Sequence, residues 1–118
     1  MARDLSFWKY KTDTVQNDEA VYNKLIAGIK VDEVEQLPVK NILLNIKDVF
    51  GEWNWTSQTT LEKDEQMIEI FMTEKIIRFD CYSVTNENMN LIIDIMNKYG
   101  CPLYLSLIHI SEPTRLDV

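Results

Sequence analysis

The fold is decided by the stretch IIRFDCYSVTNENMNLIIDIMNKYG, residues 76–100. Its first part alternates apolar with charged or aromatic residues, which predicts a strand at 76–84 with one buried face. A threonine or asparagine then caps an amphipathic helix, which Gly100 stops and Pro102 prevents from continuing. The apolar positions of this helix are Met89, Ile92, Ile93 and Met96. The stretch therefore predicts a strand that is followed directly by a helix.

Two further strands and a helix precede this unit. The segments at about 53–61 and 66–73 have β character, and short polar turns separate the three strands. Short turns connect antiparallel neighbours, so we expect these strands to form a meander. The clearest helix of the sequence begins at Pro38, which the first helical turn tolerates, and ends at Gly51.

The N-terminal part predicts a strand and a short helix. The aromatic-rich stretch LSFWKY at 5–10 suits a first strand that places Phe7 on one face and Trp8 and Tyr10 on the other. An asparagine or aspartate then caps a helix at 18–28, whose final glycine supplies the left-handed stop.

The order of elements is strand, helix, helix, three strands and helix, with a short final strand at 101–104. It predicts a two-layer α+β domain, in which a mainly antiparallel sheet of about four to five strands packs against three helices. A chain of 118 residues is the size of one domain and can bury a core without disulfides. Cys81 and Cys101 lack CxxC spacing and histidine neighbours, and we expect both to be reduced core residues.

The end of the chain does not fit this domain. Residues 105–115, LSLIHISEPTR, have a polarity pattern unlike the rest, and the codons that can encode them resemble a transposase-type sequencing adapter. We therefore expect a domain at 1–104 that has lost its native C-terminus, followed by an adapter-derived tail at 105–118. A genuine edge strand is the alternative. His109, the only histidine of the chain, lies in this run.

Charge and composition narrow the classes of function. The net charge is −7 and the pI about 4.6, so most of the surface would repel a nucleic-acid backbone or an anionic membrane. No apolar run approaches the roughly 20 residues of a membrane span, and the N-terminus lacks the apolar core of a signal peptide. We expect a cytoplasmic protein with no nucleic-acid or membrane partner. An acidic surface can attract a basic protein partner through long-range electrostatics. The alternative is that the acidic charge only keeps the protein soluble and serves no partner.

The sequence contains no recognisable catalytic, metal or cofactor motif. Ser-His-Asp and Cys-His catalysis require an imidazole, and zinc sites require histidine or clustered cysteines. Each of the three glycines stands at a predicted helix end, which leaves no glycine-rich phosphate loop. We therefore predict no cofactor, no metal and no enzymatic activity.

A set of aromatic and charged residues is the candidate binding surface. Tryptophan, tyrosine and arginine dominate interface hot spots, and the outward residues of the first, second and fourth strands would form one surface if these strands were neighbours. The set comprises Trp8, Tyr10, Trp53, Trp55, Arg78, Asp80 and Tyr82. The plainer alternative is that the tryptophans close the core edge and that Arg78 pairs with Asp80.

Three segments resemble a family of small uncharacterised bacterial proteins. They are FWKYK at 7–11, IIRFDCYSVTNENMNLIIDIM at 76–96 and CPLY at 101–104. The shared pattern is R-x-D-C-Y before a capped helix with MN-x-x-IDIM, and the relatives continue with aspartate where this chain has Leu105. The resemblance covers most of residues 3–104. It implies a bacterial single-domain protein and assigns no catalytic residue.

These observations favour a binding protein over an enzyme. The leading hypothesis is an immunity-type inhibitor, whose acidic surface neutralises a basic toxin or nuclease domain. One alternative is an adaptor or a structural subunit of a larger assembly. Another is a small hydrolase or isomerase that works through Asp80, Tyr82 or a carboxylate pair, which a cavity converging on Asp80 would favour.

Overall fold

A computed structural model describes residues 2–12 and 17–105 of the chain. The described part contains three helices and six strands. In chain order they are β1 (Ala2–Phe7), α1 (Asp18–Ile26), α2 (Val39–Val49), β2 (Asn54–Trp55), β3 (Thr60–Lys63), β4 (Gln66–Met72), β5 (Ile77–Tyr82), α3 (Asn86–Lys98) and β6 (Leu103–Leu105). The predicted α+β class is confirmed, and the sheet has six strands where four to five were expected.

The strands form one sheet in the order β2-β3-β4-β5-β1-β6, and each neighbouring pair is antiparallel. β2 to β5 follow one another as hairpins, which is the meander that the short turns predict. The segment at 53–61 yields two strands because residues 56–59 turn the chain between them. At the next turn Asp64 has a φ of 55°, a left-handed conformation that aspartate tolerates and tight hairpins require.

The first strand lies earlier than the predicted 5–10. β1 ends at Phe7. Trp8 follows the strand and is only 3% exposed, while Tyr10 forms an isolated bridge with Val34. The prediction placed the strand too late in the chain because the tryptophan and tyrosine of the aromatic run have β character but pack beyond the end of β1.

α2 and α3 cover one face of the sheet and form the main core with it. The helices contribute Ile42, Ile46, Ile92, Ile93 and Met96 to this core. The sheet contributes Leu5, Phe7, Leu61, Ile68, Ile70, Ile77, Phe79, Cys81 and Leu103. The rings of Phe7 and Phe79 meet edge to face at 5.8 Å, which packs the two central strands closely. Thr85, rather than Asn86, is the N-cap of α3 and accepts a hydrogen bond from the backbone N–H of Asn88.

α1 packs against the opposite face, at the β6 end of the sheet. Ser6 and Tyr104 are register partners that alternate with main-core residues, so both point to this second face. The second cluster consists of Trp8, Val21, Leu25, Val31, Val34, Ile76 and Tyr104. The predicted two-layer arrangement, which requires all three helices on the same face of the sheet, therefore holds for α2 and α3 only. α1 differs because Trp8, Ile76 and Tyr104 leave an apolar patch on the other side, which α1 buries.

The structure also locates the cysteines and the start of the predicted tail. Cys81 and Cys101 are free and buried, and burial raises the pKa of their thiols to about 12 and about 11. β6 extends to Leu105, which pairs with Leu5, whereas residues 106–118 of the predicted tail lie outside the described residues. Within the described part, no helix is long and apolar enough to cross a membrane.

Candidate functional site

The face of β4, β5 and β1 that points away from α2 and α3 keeps access to solvent. Phe71 and Tyr82 are each 36% exposed there, a high value for aromatic residues on a sheet. We call this surface the open face; it consists of Asp4, Met67, Glu69, Phe71, Arg78, Asp80 and Tyr82. α1 and the second cluster border it at one end, where Ser6 and Tyr104 are buried.

The strand register arranges the open face in rows that run across the strands. Asp4 of β1 is directly opposite Asp80 of β5, which in turn is opposite Glu69 of β4. We call these three residues the carboxylate row. On one side of it Phe71 pairs with Arg78, and on the other side Met67 pairs with Tyr82. The row of acidic side chains is therefore flanked by an exposed aromatic residue on each side.

Arg78 is held in one orientation by its neighbours. Its Nε donates to Oδ1 of Asp80 at 2.9 Å and its Nη2 to Oδ2 at 3.3 Å, a two-pronged ion pair with 22% and 19% of the two side chains exposed. The guanidinium also lies over the ring of Phe71, 5.1 Å from its centroid. Arg78 therefore pairs directly with one carboxylate of the row, and among the described residues no ion pair involves the other two.

Burial and the neighbouring carboxylate together change the pKa of Asp4. Partial burial, followed by a shared hydrogen bond with Asp80 and repulsion from it, raises the pKa of Asp4 above its ordinary value of 3.8. The positive charge of Arg78 opposes this rise. Desolvation and then the negative charges of Glu69, Asp80 and Asp4 also raise the pKa of Tyr82. The open face is thus a region of negative potential.

The structure brings together only part of the predicted set. Arg78, Asp80 and Tyr82 share the open face, because they alternate along β5. Trp8 is buried in the second cluster, and Tyr10 is half-buried and donates its hydroxyl proton to Asp18 at 2.6 Å. The first and fourth predicted strands are neighbours, but β3 and β4 separate them from β2, the part of the second predicted strand that contains Trp55.

Trp53 and Trp55 lie at the far edge of the sheet, on the side of the helices. Trp53 is 7% exposed and meets the ring of Phe50 edge to face at 5.3 Å. Trp55 donates its indole N–H to the backbone oxygen of Phe50 at 3.1 Å, and Lys47 lies over its ring. Both tryptophans therefore fix the end of α2 against β2 and are not part of the open face.

Sequence reasoning missed Asp4, Glu69 and Phe71. The signal for Asp4 was the alternation of polar and apolar residues in RDLSF at 3–7, which marks a two-faced strand. In β4 the polar Glu69 before the apolar Ile70 gives the same signal, but Phe71 is apolar on the outward face and no local pattern marks it. Their grouping with Asp80 follows from strand order and register, which link residues distant in sequence.

The carboxylate pair of Asp4 and Asp80 lies on the open face of the sheet and is chemically capable of holding a proton. Two cavities lined by described residues have volumes of about 310 and 380 Å³. The first lies between Arg3 and Met89, and the second lies beside Gly51; Asp80 lines neither. In the described part of the chain, no group of three His, Cys, Asp or Glu residues is placed to hold a metal ion.

Comparisons with protein-family models, with curated proteins and with solved structures find no match to this chain. The resemblance carried by the R-x-D-C-Y and MN-x-x-IDIM segments therefore stays a prediction, as does the adapter origin of residues 105–115.

Proposed function

We propose that this protein is a non-enzymatic binding domain that contacts a basic protein partner through the open face. The observation that carries the proposal is the carboxylate row between two exposed aromatic residues, Phe71 and Tyr82. Interface hot spots combine aromatic residues with charged groups that find a partner in the complex. The open face has both features on rigid strands, so it needs little ordering to bind.

Charge favours a basic partner. The chain carries a net charge of −7, and the open face has three carboxylates against the one guanidinium of Arg78. Complementary charge speeds the encounter of two proteins and excludes partners with the same sign of charge. An acidic face of this kind fits a positively charged surface such as that of a nuclease or toxin domain. The most specific form of the proposal is therefore an immunity-type inhibitor in the bacterial cytoplasm.

The carboxylate row destabilises the free protein, and this also supports a basic partner. Like charges directly opposite one another in a sheet are destabilising, and Arg78 compensates only one of the three carboxylates. A cation from a partner would relieve this repulsion. The row therefore favours the complex over the free protein.

The proposal is tested by capture followed by measurement. The protein is used to isolate a partner from bacterial extract, and the partner is purified and titrated by calorimetry at low and high salt. We expect a basic partner whose affinity falls as the salt concentration rises. In the double variant Phe71→Ala and Tyr82→Ala the affinity should fall by about tenfold or more, which corresponds to about 1.4 kcal/mol of binding free energy. Leu44→Ala is the matched control, because Leu44 is 67% exposed on α2, away from the open face.

Two outcomes would reject the proposal. One is equal loss of affinity in the double variant and in Leu44→Ala, and the other is a partner that binds independently of the open face. Loss of the partner's own toxic or nuclease activity on binding identifies an immunity-type inhibitor. An adaptor would leave that activity unchanged.

A further inference from the structure

We infer that this protein associates with a second copy of itself through the outward side of α2, with Leu44 at the centre of a symmetric contact. The inference goes beyond the open face, because α2 covers the opposite face of the sheet. It is argued from three exposed residues that follow one another at intervals of four along α2. We call Lys40, Leu44 and Asp48 the outer row.

The centre of the outer row is an apolar residue that the core of one copy does not use. Leu44 lies two residues from both Ile42 and Ile46, which are buried, so a rotation of about 100° per residue places it on the opposite side of the helix. Leu44 is 67% exposed, the highest value among the large apolar residues of the described part. Leu91 of α3 is 37% exposed and lines the same cavity as Asp48. The outward side of the helices therefore has an exposed apolar centre.

The charges of the outer row make this surface complementary to itself. Lys40 precedes Leu44 by four residues and Asp48 follows it by four, so each charge is about 6 Å from Leu44 along the helix axis. If two α2 helices lie antiparallel about a twofold axis at Leu44, each Lys40 faces the Asp48 of the other copy. In such a symmetric contact a single self-complementary patch serves both partners. The order of the charges therefore fits a second copy of this chain.

The fold of one copy does not explain where these charges lie. Lys40 is in the first turn of α2 and Asp48 is in the last turn, whereas the helix dipole favours the opposite sign at each end. Among the described residues, no ion pair involves either of them. Two ion pairs between the copies would compensate all four charges.

The cavity of about 380 Å³ at the end of α2 gives the lysine of the second copy a place to insert. Its charged lining residues are Asp48, Glu52 and Lys63, and its apolar lining includes Val49 and Leu91. The stem of an inserted lysine packs on the apolar lining while its ammonium group reaches Asp48. Two carboxylates against one ammonium group leave the cavity with a negative charge, which favours this insertion.

The size of the contact predicts a weak dimer. The outer row spans about 12 Å and packed helices lie about 8–10 Å apart, so the contact is at the small end of specific interfaces. We therefore expect a reversible dimer with a dissociation constant on the order of 100 µM. The two open faces point outward in this dimer and stay free for a partner. Leu44→Ala therefore weakens the dimer without changing the open face.

Sedimentation equilibrium of the whole chain, from about 10 µM to 1 mM, measures the association across the expected constant. Lys40→Glu places like charges opposite each other at two symmetric positions and should weaken the dimer by about tenfold or more. Asp48→Lys should weaken it for the same reason. The double variant Lys40→Glu with Asp48→Lys restores both ion pairs with reversed signs, so it should associate like the wild type.

The stability of the variants separates a lost contact from a damaged fold. Both replacements suit the helix dipole, so the melting temperature of each single variant at about 5 µM should equal or exceed that of the wild type. Lys24→Glu is the matched control, because Lys24 is exposed on α1, on the other face of the sheet, and the net charge changes by the same amount as in Lys40→Glu. This control should associate like the wild type.

Three results would overturn the inference. The first is a wild type that stays monomeric at about 1 mM, ten times the expected constant. The second is equal weakening of the dimer by Lys40→Glu and Lys24→Glu, which would show only an effect of net charge. The third is a double variant that does not recover the association. None of these results bears on the open face, whose partner contact depends on Phe71 and Tyr82.

Discussion

Replacing Asp4 by asparagine should stabilise the free protein at neutral pH. The substitution keeps the size of the side chain and removes one of two like charges that face each other across β1 and β5. A like-charged cross-strand pair costs about 0.2–1 kcal/mol, and the access of Asp4 to solvent places this pair in the middle of that range. We therefore expect a gain of about 0.5 kcal/mol. For a domain of this size that corresponds to about 2 °C in melting temperature.

The gain should depend on pH in a definite direction. The pKa of Asp4 is raised in the folded protein, so the folded state holds this proton more strongly than the unfolded state. The stability that the proton provides is fully present below the unfolded pKa and is lost as the pH rises through the folded pKa. Asp4→Asn should therefore match the wild type in acid and exceed it above the pKa of Asp4.

Urea denaturation at several pH values measures this difference. With a slope of about 1–1.5 kcal/mol per molar urea, the midpoint should move by roughly 0.3–0.5 M at neutral pH. Asp32→Asn is the control, since its ion pair with Lys30 is over 80% exposed on both sides and contributes little. A loss of stability in Asp4→Asn at neutral pH, or an equal gain in acid, would refute the arrangement of the carboxylate row.

Three further predictions concern the rest of the fold. Ser6→Ala should leave the midpoint of unfolding unchanged or raise the stability by up to about 2 kcal/mol, because the Ser6 hydroxyl is fully buried without a hydrogen-bond partner among the described residues. In native buffer, Cys81 and Cys101 should react with iodoacetamide only after denaturation, as mass spectrometry would show, since both thiols are buried with raised pKa values. Tyr10→Phe should cost about 1 kcal/mol in urea denaturation, because it removes the hydrogen bond to Asp18.

The elements that the sequence predicts correctly are those with a strong local period. α3 and β5 follow from the alternation and the helical stripe of residues 76–100, and α2 follows from its apolar positions between Pro38 and Gly51. These patterns are visible because each buries one face in the same main core. The boundaries of β1 were wrong because Trp8 and Tyr10 have strand-like composition but pack in the second cluster.

The site was predictable only along a single strand. Arg78, Asp80 and Tyr82 were grouped correctly because they alternate in β5, and this grouping needs no knowledge of neighbouring strands. The inclusion of Trp53 and Trp55 required β2 to lie beside β1 or β5. The sheet order places two strands between β2 and β5 and three between β2 and β1, and such order depends on contacts between distant segments that no local pattern records.

The division of the sheet into a covered and an uncovered face explains where a binding surface can arise in so small a domain. α2 and α3 bury most of one face, and α1 closes only the β6 end of the other. The middle of that second face is not needed for the core, so it tolerates the repulsion between Asp4 and Asp80. The carboxylate row does not stabilise the fold. A cation that binds there would therefore recover the free energy that the repulsion between the carboxylates costs. The basic partner that we propose should therefore gain most at the carboxylate row, where the like charges of the free protein face each other.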